Sequence, residues 1–323
     1  MKRVKRIFAC LLALTMMFGL SATAFADETY TDHRTVTVKK EYKLANEGTT
    51  SPEEIFTLEQ VGEGRVTDGD ATSAPALGII TGAAFAEGAA TVDGTTGDIT
   101  VALPTYEKVG VYEYTLKEVD GKTAGVSYYN GNIKLVVTVI NGDDENLRIA
   151  AVHTEAENGT KSDTFTNTYF AGTLDISKTV EGNLGDKEKY FEFAVTLTGV
   201  EGKNYADSYA VTGGSSGVEN PTTIAIGETA TFKLKDGDTI HIANLPYGVT
   251  YTVTETAAPG YTTTNTVAQG TIDKAGQEAA FTNTKTGNID TGVYLDNLPY
   301  ILVFAGVLVI AAVFVVRRRR FED

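Results

Sequence analysis

The sequence has few of the residues that form disulfides, metal centres and redox sites. Its 323 residues include one cysteine, three histidines and no tryptophan. Cys10 lies in a leader that we predict is removed, so the mature chain has no thiol and cannot be held together by disulfides. His33, His153 and His241 are widely spaced and have no cysteine partners. The sequence therefore predicts neither a metal site nor a bound cofactor.

Motifs for turnover catalysis are also missing. The chain has no phosphate-binding glycine loop and no recognisable Ser-His-Asp arrangement. The acidic segment GDDEN (142–146) is typical of a hairpin turn and lacks the spacing of a calcium-binding loop. The sequence thus predicts that the protein is not an enzyme that turns over a substrate.

Positive charge is scarce. The chain has 27 lysines and arginines against 42 aspartates and glutamates, which gives a formal net charge of −15. Nucleic acids and anionic membranes are themselves negative, so this balance disfavours both as partners. It suits the soluble surface of an exported protein.

The first 26 residues have the pattern of a secretory signal peptide. Four basic residues between Lys2 and Arg6 precede an apolar run that reaches about Leu20, and the segment ends at Ala24-Phe25-Ala26. A small-x-small end of this kind predicts cleavage after Ala26. A lipoprotein role for Cys10 is the weaker alternative, because this cysteine lies too early and within the apolar run.

The C-terminal end predicts a membrane segment. Leu298–Val316 carries no charge and is long enough to cross a bilayer, and Arg317–Arg320 follow directly. The arginine cluster is expected to stay in the cytoplasm, which leaves the preceding chain outside the cell. A plain single-pass anchor is one interpretation of this end of the chain.

Between the two ends, the sequence alternates as β-strands do and is broken by turn signals. We predict an all-β fold of sandwiches, with one domain over 27–170, a second over 171–286 and a C-terminal region over 287–323. A weak internal repeat divides the chain, and its matching segments occur in the same order in both halves: RTVTVKKEY (34–42) with LDISKTV (174–180), GVYEYTLKE (110–118) with GVTYTVTE (248–255), and TFTNT (164–168) with AFTNT (280–284).

Each repeat places three polar residues on a face that should be buried. Read with a period of two, Lys40 shares its face with Val38 and Tyr42, and Lys178 shares its face with apolar residues in the same way. Glutamate and asparagine occur among inward aromatic and aliphatic residues in the later strands. The predicted inward sets are Lys40, Glu118 and Asn167 in the first domain, and Lys178, Glu255 and Asn283 in the second.

Burial gives such a set unusual chemistry. A buried lysine tends to lose its proton and a buried glutamate tends to keep one, so the amine becomes a nucleophile and the carboxyl can pass protons. Attack of the amine on the asparagine would release ammonia and leave an amide between the two side chains. The alternatives are a hydrogen-bonded polar trio without covalent chemistry, or lysines that reach solvent from the strand ends.

These residues resemble the backbone pilins of Gram-positive bacteria, of the streptococcal T-antigen (FctA) type. The resemblance implies two tandem immunoglobulin-like (Cna-B-like) sandwiches with Lys40–Asn167 and Lys178–Asn283 isopeptide bonds, promoted by Glu118 and Glu255. YTVTETAAPGY (251–261) is similar to the pilin E-box. LPYGVTYTVTE (245–255) is equally similar to the B-type modules of collagen adhesins.

The tail resembles a sortase signal, which implies cleavage between Thr291 and Gly292. The segment before the cut lacks the usual leucine and proline, so the class of sortase stays open. Lys161, in ENGTKSD (157–163), lies where the resembling pilins carry the lysine that receives the next subunit. Lys122 and Lys108 are the other candidates.

The resemblance implies a shaft subunit of a covalent pilus, exposed on the cell wall. Its expected partners are a sortase, identical subunits, and peptidoglycan or a basal pilin, with only transient contact with the membrane. A monomeric wall-anchored adhesin with isopeptide-stabilised stalk domains is the second hypothesis. A single-pass membrane protein that keeps its arginine tail is the third.

Overall fold

The computed structural model describes residues 34–142, 146–288 and 298–319. Several predicted features lie outside the described residues: the signal peptide (1–26) with Cys10, His33, most of the GDDEN turn, the Thr291-Gly292 pair and Arg320.

From residue 34 to residue 170, the described chain folds as strands around one core. Two sheets enclose this core, one with strand order β5-β7-β1-β12-β9 and one with β11-β10-β8-β3, in which β4 also pairs with β8; β2 and β6 form a separate pair. The strands are β1 (Thr35–Leu44), β2 (Glu54–Phe56), β3 (Leu58–Gln60), β4 (Arg65–Gly69), β5 (Ile80–Thr81), β6 (Ala83–Phe85), β7 (Thr95–Ala102), β8 (Gly110–Glu118), β9 (Val126–Ser127), β10 (Ile133–Asn141), β11 (Leu147–Glu155) and β12 (Thr164–Tyr169).

Residues 171–284 form a second sandwich of the same kind. Its sheets have the orders β16-β15-β18-β13-β22-β20 and β17-β14-β19-β21. The all-β prediction and the tandem arrangement are confirmed for this part of the chain. The strands are β13 (Ala171–Glu181), β14 (Phe191–Thr198), β15 (Tyr209–Gly213), β16 (Thr223–Ile224), β17 (Thr229–Leu234), β18 (Thr239–Pro246), β19 (Thr250–Glu255), β20 (Thr262–Thr263), β21 (Val267–Thr271) and β22 (Gly276–Thr284).

Alternation along each strand determines what is buried. In β8, every second residue from Gly110 to Glu118 is buried and the residues between are partly or fully exposed, and β19 has the same pattern. Successive side chains of a strand point to opposite faces, so one face packs on the core and the other meets solvent. The glutamate that ends each of these strands therefore lies on the core side.

In each sandwich the first strand pairs in parallel with the last. β1 pairs with β12, with Lys40 opposite Phe165 and Tyr42 opposite Asn167. β13 pairs with β22, with Lys178 opposite Phe281. In both pairs the asparagine lies two residues beyond the position opposite the lysine, so the two repeats have the same register.

The two sandwiches follow each other almost without a linker. β12 ends at Tyr169 and β13 begins at Ala171, so Phe170 is the single residue between them. The side chain of Asn244, in the second sandwich, accepts a hydrogen bond from Thr50 N at 3.0 Å and donates one to Thr50 O at 2.9 Å. Further along the junction, Asn204 N donates to Lys122 O at 2.9 Å.

The segment predicted to span the membrane lies in a helix, α1 (Leu298–Arg319). Within the described residues, no helix has both the length and the apolar character that a membrane crossing requires. The membrane anchor stays a prediction from the sequence.

Candidate cross-linking sites

The first sandwich brings Lys40, Glu118 and Asn167 into one hydrogen-bonded group. Lys40 Nζ lies 2.6 Å from Glu118 Oε2 and 2.7 Å from Asn167 Oδ1. Asn167 Nδ2 donates to the other carboxylate oxygen, Glu118 Oε1. All three residues are at most 4% exposed. The amine, the carboxylate and the carboxamide thus contact one another away from solvent.

Neighbouring groups seal this site and add one more donor. The ring of Phe56 lies over the lysine, with 5.2 Å between Nζ and the ring centroid. The backbone N–H of Tyr129, in the loop after β9, lies 3.1 Å from Asn167 Oδ1 and 3.1 Å from Glu118 Oε2. This loop is held in place by packing of the Tyr129 ring on Phe165, with ring centroids 5.0 Å apart.

The second sandwich assembles Lys178, Glu255 and Asn283 in a similar way. Lys178 Nζ lies 3.2 Å from Glu255 Oε1 and 3.1 Å from Glu255 Oε2, and Asn283 Nδ2 donates to Glu255 Oε1. These residues are also at most 4% exposed. The Phe191 and Phe193 rings cover the amine, with centroids 4.3 Å and 5.8 Å from Nζ.

The two sites differ at the asparagine carbonyl. Asn167 Oδ1 accepts hydrogen bonds from Lys40 Nζ and Tyr129 N. Asn283 Oδ1 is buried and has no hydrogen-bond partner in the described part of the chain. An unpaired buried acceptor is uncommon in a folded protein and needs an explanation.

Burial lowers the pKa of both lysines below the ordinary value. Desolvation is the largest cause for Lys40 and for Lys178, while the attraction and hydrogen bond of the neighbouring glutamate act in the opposite direction. The half-buried Lys134 shows the effect of the same pair of groups closer to solvent. Its hydrogen bond to Glu155 raises the pKa of the Lys134 amine. Burial therefore favours the neutral, nucleophilic amine at the two core lysines.

The three candidate acceptor lysines lie at the surface. Lys161 is exposed and forms an isolated antiparallel bridge with Glu155, just before β12. Lys108 and Lys122 are also exposed, and the Lys122 backbone takes part in the junction between the sandwiches. His153 bonds to Glu155 and His241 to Asp175. Among the residues that the structure describes, no three histidine, cysteine or acidic side chains are grouped to hold a metal ion.

Sequence reasoning did not identify the groups that complete the first site. The Tyr129 contribution is a backbone amide, which has no signature in residue type. Phe56 lies in β2, a three-residue strand too short to show a clear period. The aromatic residues of β14 alternate clearly, but alternation does not show which side chain they cover.

Family models match both sandwiches. Residues 35–170 match a family described as the Spy0128-like isopeptide containing domain, FctA. Residues 172–285 match a domain of unknown function, DUF7601. The first match covers the whole Lys40, Glu118 and Asn167 site, and the second covers the whole site of the other sandwich.

Curated relatives are pilus proteins of Streptococcus pyogenes. A pilin of serotype M1 is 28% identical over 318 residues, covering 90% of this chain and 93% of that protein. A pilus tip adhesin, Cpa, is 39% identical over 88 residues, which is 27% of this chain and 12% of the adhesin. The pilin is therefore similar over almost its whole length, whereas the adhesin shares only a module.

Solved structures show the same similarity. The crystal structure of the major pilin from Streptococcus pyogenes aligns with a TM-score of 0.54 at 26% identity, covering 80% of this chain and all of that chain. Two variants of that pilin, with an asparagine or a glutamate replaced by alanine, align with a TM-score of 0.52. The tandem β-architecture described above is therefore similar to that of the streptococcal structure.

Proposed function

The chain belongs to the streptococcal T-antigen (FctA) type of backbone pilin and is a shaft subunit of a pilus, and on this premise we propose that it joins its own side chains by two amide bonds. One bond links Lys40 to Asn167 and the other links Lys178 to Asn283. Glu118 and Glu255 carry the protons. Each lysine and asparagine reacts once and is consumed, so the protein is not a turnover enzyme.

The observation that carries this proposal is the repeated buried group of lysine, glutamate and asparagine. In both sandwiches its lysine and asparagine lie at the same register of the parallel pair formed by the first and last strands. In the first site the amine is already 2.7 Å from the carboxamide oxygen. A chance polar trio would not be expected to recur in the same register with the lysine pKa lowered in both places.

The reaction balances within each site. The lysine ammonium first passes a proton to the glutamate carboxylate, which leaves a neutral amine and a protonated glutamate. The amine attacks the asparagine Cγ, and a C–N bond forms as the electron pair of the C=O bond moves to oxygen. The glutamate accepts a proton from the former amine and delivers one to the asparagine nitrogen. The C–N bond to that nitrogen then breaks and ammonia leaves. A neutral amide and a protonated glutamate replace the buried ion pair.

Intact mass spectrometry of the ectodomain, residues 27–290, tests the proposal. The measured mass should fall short of the calculated mass by two molecules of ammonia. Glu118→Ala and Glu255→Ala should each restore one of them, whereas Glu155→Ala, at a half-buried lysine–glutamate pair outside the two sites, should restore none. A wild-type mass equal to the calculated value would show that no amide forms.

We further propose that a sortase joins these subunits through Thr291 and Lys161. Lys161 is exposed, and it precedes β12 at the end of the molecule where β1 begins. β12 leads into β13, and β22 runs parallel to β13, so the C-terminal end of β22 points to the opposite pole. These positions favour a head-to-tail polymer. In this proposal the membrane segment 298–316 holds the chain until the sortase cleaves between Thr291 and Gly292. Peptidoglycan or a basal pilin is the final acceptor.

Wall extracts boiled in detergent test this second proposal. A ladder of covalent oligomers is expected for the wild type and its loss for Lys161→Ala, with Lys108→Ala and Lys122→Ala as controls that keep the ladder. Loss in one of the control variants instead would move the acceptor to that lysine. A single wild-type band would favour a monomeric wall-anchored protein.

A further inference from the structure

We propose that the backbone N–H of Tyr129 is a catalytic group of the first site, where it stabilises the oxyanion that forms on Asn167 Oδ1. The second site lacks this donor, so its bond forms more slowly. This inference rests on the proposed amide formation and assigns the two sites different rates.

The geometry of Tyr129 fits the role of an oxyanion donor. Its nitrogen lies 3.1 Å from Asn167 Oδ1, within the range at which such donors act. A backbone N–H can only donate, so the carboxamide atom that faces it must be the oxygen. The amide therefore also fixes the orientation of the asparagine, with Oδ1 towards Lys40 and Nδ2 towards Glu118.

The same N–H can follow the negative charge as the reaction proceeds. Before the attack it is shared between Asn167 Oδ1 and Glu118 Oε2, at 3.1 Å from each. When the amine attacks, negative charge develops on Oδ1 while the carboxylate accepts a proton and becomes a weaker acceptor. The hydrogen bond to Oδ1 is then stronger in the transition state than in the ground state, which is the requirement for catalysis.

The second site has no such donor in the described residues. Asn283 Oδ1 is buried without a hydrogen-bond partner. Backbone N–H groups of the surrounding strands and loops already donate to other acceptors. Thr264 N donates to Thr282 O at 3.0 Å, and Glu255 N donates to Thr266 O at 3.0 Å. Negative charge on this oxygen would develop in an apolar site without a backbone donor.

Loss of one oxyanion donor slows an enzyme by about 10²–10³-fold. We therefore expect the Lys40–Asn167 bond to form on the order of 10²-fold faster than the Lys178–Asn283 bond. Two variants isolate the reactions: Asn283→Ala leaves only the first bond, and Asn167→Ala leaves only the second. Each ectodomain is made by cell-free translation and quenched in acid at intervals, and the loss of one ammonia is followed by intact mass.

Tyr129→Pro removes the N–H from the otherwise intact chain. It should slow the first bond by about 10²-fold and leave the second bond, in the same molecule, at its own rate. Asn130→Pro is the matched control, because it adds the same constraint one residue later and retains the Tyr129 N–H. The control should be close to wild type in rate.

Equal rates of bond formation in the two single-bond variants would overturn the inference. So would equal rates of Lys40–Asn167 bond formation in Tyr129→Pro and Asn130→Pro. If Tyr129→Pro does not fold, the comparison of the two asparagine variants still decides the matter, because neither alters the loop. Absence of ammonia loss in every chain, wild type included, would instead contradict the proposed function.

Discussion

Burial of a charged lysine costs free energy unless the charge is removed or paired. At the scale of single residues, this cost favours conversion of the buried lysine into an amide. Lys40 and Lys178 are each 1% exposed, and each contacts a buried glutamate. A buried ion pair is weak support for stability, because desolvation of both ions offsets their attraction. Amide formation retains the packing of these side chains, makes the lysine nitrogen neutral and leaves its proton on the glutamate, so the cross-linked product suits this core better than the free groups do.

The lowered lysine pKa leads to a prediction on pH and stability. In the double variant Asn167→Ala/Asn283→Ala both amines stay free. Their pKa is lowered in the fold mainly by burial and returns to about 10.5 on unfolding. At pH values between the lowered pKa of the folded state and about 10.5, the unfolded chain binds more protons than the folded chain. The free energy of unfolding should therefore rise with pH across that window.

Urea unfolding of the double variant and of the wild type, over a pH series, measures this effect. The cross-linked wild type has no free amine at either site. The difference in unfolding free energy between the wild type and the double variant should therefore narrow as pH rises towards 10.5. This difference should be larger at neutral pH than at pH 10.5, and loss of each closed loop alone contributes about 5 kcal/mol in the chain-entropy model. A difference that does not change with pH would mean that the lysines are not desolvated as described.

Much of this site was predictable from residue type and period. Alternation alone selects Lys40 rather than its neighbour Lys39, and the structure has Lys40 buried and Lys39 in an exposed ion pair with Asp98. The Tyr129 N–H could not be predicted, because every residue except proline carries the same donor. The unpaired Asn283 oxygen depends on the path of one loop, which the sequence pattern does not specify.

At the scale of elements, the parallel pairing of the first and last strands is what brings distant residues together. Lys40 and Asn167 are 127 residues apart and become neighbours only because β1 and β12 are adjacent. The repeat predicts that both sandwiches share this arrangement, but hydrophobic period does not choose strand partners. The pairing and its register are therefore results of the structure.

The junction between the sandwiches depends on loops, and Asn244 leads to a second prediction. Its φ of 60° lies in the left-handed region, and its side chain makes both hydrogen bonds to the Thr50 backbone. Asn244→Gly keeps the backbone conformation accessible and removes both bonds. The local free energy that protects the Thr50 amide should fall by about 1 kcal/mol.

Hydrogen exchange of the Thr50 amide measures this loss, and the exchange rate should rise about fivefold in Asn244→Gly. Asn265→Gly is the control, because Asn265 also donates to a backbone carbonyl, Ala280 O, but within the second sandwich. Unchanged Thr50 exchange in Asn244→Gly would show that the junction is held by other contacts.

For the whole molecule, strand order determines which bond carries tension. A load between the start of β1 and the end of β22 passes through Lys40 to Asn167, along β12 into β13, and through Lys178 to Asn283. A load that enters at Lys161 joins β12 directly and bypasses the first bond. The second bond lies on both routes, so the point of attachment decides whether the first sandwich is stretched.

Single-molecule pulling on the ectodomain tests this difference. Residues 27–290 contain no cysteine, so cysteines placed at Arg34 or Lys161, each with one at Asn288, give unique attachment points. Glu118→Ala should allow the 127-residue loop to extend by about 440 Å when the load enters at residue 34. With the load at residue 161 the same variant should give no such extension, because the loop lies outside the loaded path. Glu255→Ala should lengthen the chain from both attachment points. If Glu118→Ala also gave its extension when the load enters at residue 161, the load path assigned from the strand order would be wrong.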